Sequence, residues 1–270
     1  VCAGSWYYIH QNQAQAVKAE ARKTYIQSSS PTIFFHGWGS SSRAERHIAN
    51  AAKKAGVTQT IIEAKGAEDG TVTLKGTIPK DAVNPIVLVN FDNNRGASTQ
   101  DQGNYAYAVV KALQDTYGIK EMNMVAHSDG NVTIVYYMLQ HGSDTSLPKL
   151  VKQVDIAGHF NGIIGIDEPE NITLDDEGKP SSMRESYQEL LSLGNHYPQG
   201  QVEILNIYGN TGKGSDERVT NLSSQSLGYL LKAQVKSYQE KEITGPNGQH
   251  SKLHETALVD KPLIAFLWGK

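Results

Sequence analysis

The chain has 270 residues, 39% of them hydrophobic, and a formal net charge of −3. That is enough apolar material for one large domain, since roughly 150 residues per domain is only a soft guide and α/β folds often run longer. No block of Lys and Arg marks a nucleic-acid footprint, so no nucleic-acid partner is expected. The single cysteine, Cys2, excludes an internal disulfide framework and a cysteine-built metal site, and no apolar run reaches the ~20 residues that span a bilayer.

The sequence opens Val1-Cys2-Ala3-Gly4-Ser5. A cysteine among small residues at such a start fits the lipidated end of a bacterial lipoprotein, tethered to a membrane through Cys2, or a trimmed boundary. A secreted or cell-surface location, lipid-anchored in the first case, is the expectation. Residues 5–30 are rich in Ala, Gln and Lys and predict a polar helix or arm, ended by Ser28-Ser29-Ser30-Pro31.

From Pro31 onward strands and helices alternate. Thr32-Ile33-Phe34-Phe35, bounded by Pro31 and Gly37, predicts a buried strand, and 42–55 predicts a helix closed by Gly56. Strands are predicted over 58–64 and 71–76. Pro85-Ile86-Val87-Leu88-Val89-Asn90-Phe91 is a strong buried strand, and the hairpin-like 71–91 stretch predicts an antiparallel edge. Helix 102–117, strand 121–126, helix 131–140, strand 150–157, strands over 202–208 and 233–242 and a final helix over 262–268 complete the order. Alternation of this kind makes βαβ crossovers and a mostly parallel sheet with helices on both faces. Between Gly158 and Gly200 the rhythm breaks, leaving Gly-rich loops, Asp175-Asp176-Glu177 and one helical piece over 182–193. A long interruption in a compact domain is usually functional, so 158–200 is expected to be a small cap. The domain expectation is thus an arm over 1–30 and one α/β domain over 31–270.

Ala126-His127-Ser128-Asp129-Gly130 lies where a predicted strand gives way to a helix. A nucleophilic serine needs that context: a sharp turn raises its oxygen above the sheet, and the following helix offers free N–H groups to developing negative charge. The pattern is G-x-S-x-G with Ala126 in the first glycine's place. The alternative is a serine that merely caps a helix.

In a fold of this kind the acid and then the histidine follow the serine along the chain. His159 and His196 fall in the expected cap, leaving Gly248-Gln249-His250-Ser251-Lys252-Leu253-His254. His250, in a loop after the last strand, is the preferred base, with His254 as the alternative. Asp216, after the Gly/Ser-rich 209–215 loop, is the preferred acid to hold the imidazole's tautomer; Glu217 is its nearest competitor and Asp155 a weaker one. His36-Gly37-Trp38-Gly39 follows the first strand, where a second oxyanion donor originates, so the N–H groups of Trp38 and Asp129 are the expected pair. Phe91, Tyr105 and Phe160, with Trp38, are candidate substrate lining or else core. No metal or other cofactor is expected: His250 and His254 are four apart, but a loop-to-helix position does not give them a shared ligand face.

The blocks at 36–39, 126–130, 215–216 and 250–255, with Asp155-Ile156-Ala157-Gly158-His159-Phe160-Asn161-Gly162, resemble a group of lipase-like α/β-hydrolases known as uncharacterised cell-surface hydrolases of Gram-positive bacteria. The resemblance runs from about Pro31 to the C-terminus. It implies an α/β-hydrolase fold and a Ser-Asp-His triad at Ser128, Asp216 and His250. Ala126, Asp129 and Asn131 depart from the group's G-H-S-x-G-G, and the position of His159 is often proline there. The expected activity is that of a serine carboxylesterase or lipase-like esterase acting on a small-molecule ester. Thioester or amide hydrolysis on the same triad, and a non-catalytic surface binding protein, are the alternatives.

Overall fold

A computed structural model describes residues 2–270, with side chains from Ala3 onward. The lipid expected on Cys2 concerns a side chain outside that description. The predicted arm is one long helix, α1 (Cys2–Thr24), exposed over 3–20.

The elements then run β1 (Thr32–Phe35), α2 (Arg46–Lys54), β2 (Ile61–Gly66), β3 (Val72–Lys75), β4 (Ile86–Phe91), α3 (Thr99–Tyr117), β5 (Glu121–His127), α4 (Gly130–His141) and β6 (Lys149–Ile156). After β6 come α5 (Glu185–Glu189), β7 (Glu203–Asn210), α6 (Asn221–Gln225), α7 (Leu227–Leu231), β8 (Ser237–Thr244) and α8 (Ala257–Trp268). The eight strands form one sheet in the order β3-β2-β4-β1-β5-β6-β7-β8, parallel throughout except for β3. This is the α/β-hydrolase architecture that the sequence predicts.

The central strands are apolar at nearly every position because both faces are covered. Ile33 and Phe35 of β1, Val87 and Val89 of β4, and Met122 and Met124 of β5 share a core with Val109, Leu113, Ile134 and Met138 of α3 and α4. Phe34, Ile86, Leu88 and Val125 point the other way, into a core with Ile48 and Ala52 of α2 and Leu263, Leu267 and Trp268 of α8.

Three expectations change. The antiparallel edge is the β2–β3 pairing, Glu63 against Lys75, rather than a 71–91 hairpin. β4 is buried on both faces and takes a central parallel place, whereas half-buried β3 fits only an edge. The last helix starts five residues before Pro262, where Thr256 Oγ1 accepts from Leu258 N–H. Residues 221–231, over which no element is predicted, form α6 and α7, with Thr220 accepting from Ser223 N–H at the start. In 158–200, α5 is followed by a 3₁₀ stretch over Leu190–His196, and the rest is turns.

Candidate active site

β5 ends at His127, and Ser128 adopts φ +55°, a left-handed conformation that non-glycine residues seldom take. Its N–H donates to Ile156 O at 2.9 Å, bending the chain across the end of β6. Asn131 Nδ2 donates to Ser128 O and Ile156 O, both at 2.9 Å, so this departure from glycine locks the turn from inside α4. Gly130 has no such freedom of identity: a Cβ there would lie 2.4 Å from Phe35 O. The sharp turn thus follows from backbone contacts with β1 and β6, on which α4 is seated.

The structure brings Ser128, His250 and Asp216 into one line. Ser128 Oγ lies 2.8 Å from His250 Nε2, and His250 Nδ1 lies 2.8 Å from Asp216 Oδ2. Asp216 is buried; its Oδ1 accepts from the N–H groups of Arg218 at 2.9 Å and Val219 at 2.7 Å, and its backbone O accepts from His250 N–H at 2.9 Å. A carboxylate so held orients the imidazole, placing Nδ1–H toward Asp216 and an acceptor Nε2 toward Ser128. His127 Nε2–H donates to His250 O at 2.8 Å. Burial, then the nearness of His250 and His254, holds His127 well below the usual histidine range, so it serves as a neutral brace.

Among the described residues, no protein acceptor engages the N–H of Trp38 or of Asp129. Gly37, next to Trp38, packs so closely that a Cβ on it would sit 3.2 Å from Ser128 Cβ. His36 holds this loop. Its Nδ1–H donates to Gly37 O at 2.9 Å, and its Nε2 accepts from Phe91 N–H at 3.0 Å. Burial lowers its pKa, which keeps that neutral tautomer. The Trp38 indole is 64% exposed, donates to Arg95 O at 3.3 Å and carries the Arg95 guanidinium on its face. The Asp129 carboxylate accepts from Gln102 Nε2 at 2.9 Å and lies 3.5 Å from His159 Nε2, so two side chains draw its charge away from Ser128 Oγ.

A cleft of about 490 Å³ opens over Ser128, in the range of small-molecule sites. Trp38, His127, Asp129, His159, Arg218 and His250 line it, together with Ile163, Ile166 and Val219. Phe91, Tyr105 and Phe160 do not. Phe91 is stacked on Phe35 and tilted against Tyr105; the Tyr105 hydroxyl donates to Glu68 O at 2.8 Å; Phe160 is buried against Gly158. Aromatic rings on sheet-facing positions were drawn into the core, which was the other outcome open to them. His254 reaches the cleft, but its ring stands edge-on to His127 at 4.8 Å and makes no bond to Ser128. Glu217 is exposed at φ +82°, and Asp155, inside β6, bonds to Gln153. Ile163, Ile166 and Gln102 carry no local sequence signal, because only chain folding places them beside Ser128. No group of three or more His, Cys, Asp or Glu capable of holding a metal occurs among the described residues.

Solved structures share this arrangement of elements. The product of gene lin2722 from Listeria innocua matches with a TM-score of 0.80 at 23% identity, over 89% of this chain and 94% of that one. A Lactobacillus plantarum protein with the provisional name of cell surface hydrolase matches at 0.70 and 19%, over 88% and 89%. Est1E from Butyrivibrio proteoclasticus, solved with ferulic acid, matches at 0.50 and 12%, over 90% and 89%. These likenesses speak to the fold. No curated protein sequence matches the chain. The model of the family "Alpha/beta hydrolase of unknown function (DUF915)" matches residues 19–270. The chain belongs to that α/β-hydrolase family.

Proposed function

We propose that this α/β hydrolase is a serine carboxylesterase of lipase-like type that works through an acyl-enzyme. The observation that carries the proposal is the 2.8 Å spacing on both sides of the His250 ring, to Ser128 Oγ and to Asp216 Oδ2. His250 Nε2 takes the Ser128 proton as Oγ attacks the ester carbonyl. The free N–H groups of Trp38 and Asp129 receive the oxyanion, and Asp216 stabilises the imidazolium. The imidazolium then protonates the leaving alcohol. Water, deprotonated by His250, attacks the acyl-enzyme; the acid leaves and Ser128 recovers its proton. No step calls for a cofactor. The apolar wall of Ile163, Ile166 and Val219 suits the acyl chain, and residues 158–200, which supply the two isoleucines, act as the cap.

A cell-surface setting accords with the name of the Lactobacillus plantarum neighbour, and a lipid on Cys2 would supply a tether.

The test is turnover of p-nitrophenyl acetate, butyrate and octanoate by the parent and Ser128→Ala, with fluorophosphonate labelling mapped by mass spectrometry. Turnover and a label on Ser128, with loss of at least about 10³-fold in the variant, are expected. Faster turnover of matched thioesters or amides than of esters would move the assignment to those bonds. A folded parent that neither reacts with the probe nor turns over any of them would sink the catalytic proposal in favour of a binding role.

A further inference from the structure

Among its described residues, helix α1 is held to the body near its C-terminal end. Ala21 is buried there, and with Val17 it lies against Gly56, where a Cβ would come within 2.9 Å of Ala21 Cβ. Everything from residue 3 to residue 20 is exposed, so the helix stands out as a stalk. Near its far end Trp6, Tyr7, Tyr8 and Ile9 are exposed by 66%, 63%, 66% and 52%.

Consecutive residues on an α-helix point about 100° apart. These four side chains therefore look out on every side of α1. A groove on a protein covers one stripe of a helix; large apolar groups on all sides call for a surrounding medium. Three of the four are Trp or Tyr, whose rings carry an apolar body and one polar end, the chemistry enriched where a bilayer meets water. From Ala3 to Val17 the sequence has no Asp, Glu, Lys or Arg to oppose partial burial. The charges of α1 begin at Lys18 and are mainly cationic, with Arg22 and Lys23 set against Glu20.

We propose that the first turns of α1 insert at the interface of a phospholipid bilayer and hold the hydrolase body above it. Among the described residues no helix is long and apolar enough to cross a membrane, which makes this an interfacial contact. Lys18 lies about 18 Å along the axis from Trp6, roughly two Debye lengths at physiological salt, so ring insertion leads and charge assists. The contact depends neither on Ser128 chemistry nor on a lipid at Cys2.

Both arms of the test carry Cys2→Ser, which removes any contribution from that thiol. The parent and a variant with Trp6, Tyr7, Tyr8 and Ile9 all changed to Ser are floated with vesicles of mixed phosphatidylcholine and phosphatidylglycerol, at physiological and at high salt. The parent is expected to float at both, and the variant's partitioning to fall by about tenfold or more, with an unchanged melting temperature. In a Trp38→Phe background, which leaves Trp6 and the buried Trp268, brominated lipid is expected to quench Trp6. A parent that stays with the soluble fraction, a variant that floats equally, or unquenched Trp6 fluorescence would each overturn the proposal. So would a lipid-free dimer, seen by sedimentation and lost in the variant, in a parent that ignores vesicles; a second copy would then be the occupant.

Discussion

At the scale of single residues, ionisable groups are used in two opposite ways. Asp216 is buried but surrounded by donors, so its negative charge is supported and can act on His250. Asp155 is equally buried, yet its carboxylate bonds to one amide, Gln153 Nε2, at 2.9 and 3.1 Å. Burial pushes its pKa from 3.8 up to about 7. The folded chain therefore keeps a proton that the unfolded chain releases. The stability from this difference is complete below about pH 3.8 and is lost as pH rises through about 7. Asp155→Asn escapes that loss. Relative to the parent it should gain on the order of 2 kcal/mol at pH 8 compared with pH 5, measured by urea unfolding. An equal difference at both pH values would refute the protonated state assigned to Asp155.

At the scale of elements, the turn between β5 and α4 and the 158–200 segment divide the work of the site. The turn is rigid because its neighbours are backbone: Gly130 sits against Phe35 O, and Ser128 N–H is tied to Ile156 O. Gly130→Ala must push α4 away from β1. It should destabilise by about 1–3 kcal/mol and abolish fluorophosphonate labelling, whereas normal labelling would show that the contact relaxes harmlessly. The 158–200 segment holds few regular elements and reaches the cleft through side chains, Ile163 half-buried and Ile166 76% exposed. Truncating both to Ala removes apolar wall and leaves Ser128, His250 and Asp216 unaltered. The kcat/KM for p-nitrophenyl octanoate should then fall by about tenfold or more while that for acetate holds within about threefold, since each methylene in such a pocket is worth ~1–3 kcal/mol. A parallel loss on both esters would mean that the two isoleucines shape the machinery and not the acyl site.

At the scale of the whole molecule, α1 stands apart from the body that runs from β1 to α8, exposed from residue 3 to residue 20. The body has two apolar cores on either face of one sheet, while among the described residues α1 reaches the packing through Ala21 and the edge of Val17. Deleting residues 2–16 should move the melting temperature by no more than about 2 °C and leave p-nitrophenyl acetate turnover unchanged. A large loss of either would show that the exposed part of α1 supports the body.

Much of the body was legible in the sequence because strand burial leaves a local signature. Ile86-Val87-Leu88-Val89 can only be a strand with both faces covered, and Ser128 between a run of that kind and a helix marks a sharp turn. The chain order Ser128, Asp216, His250 named the three residues that the fold brings within hydrogen-bonding distance. Other decisions belonged to tertiary structure alone. Whether Phe91, Tyr105 and Phe160 faced the cleft or the core depended on which side of the sheet α3 and α4 covered, and no local pattern carries that. The partners of Asp129, Gln102 on α3 and His159 beyond β6, come from distant parts of the chain and meet only when the sheet closes. Spacing along a chain records what each segment can bury; which side chains finally touch is settled by the packing of segments against one another.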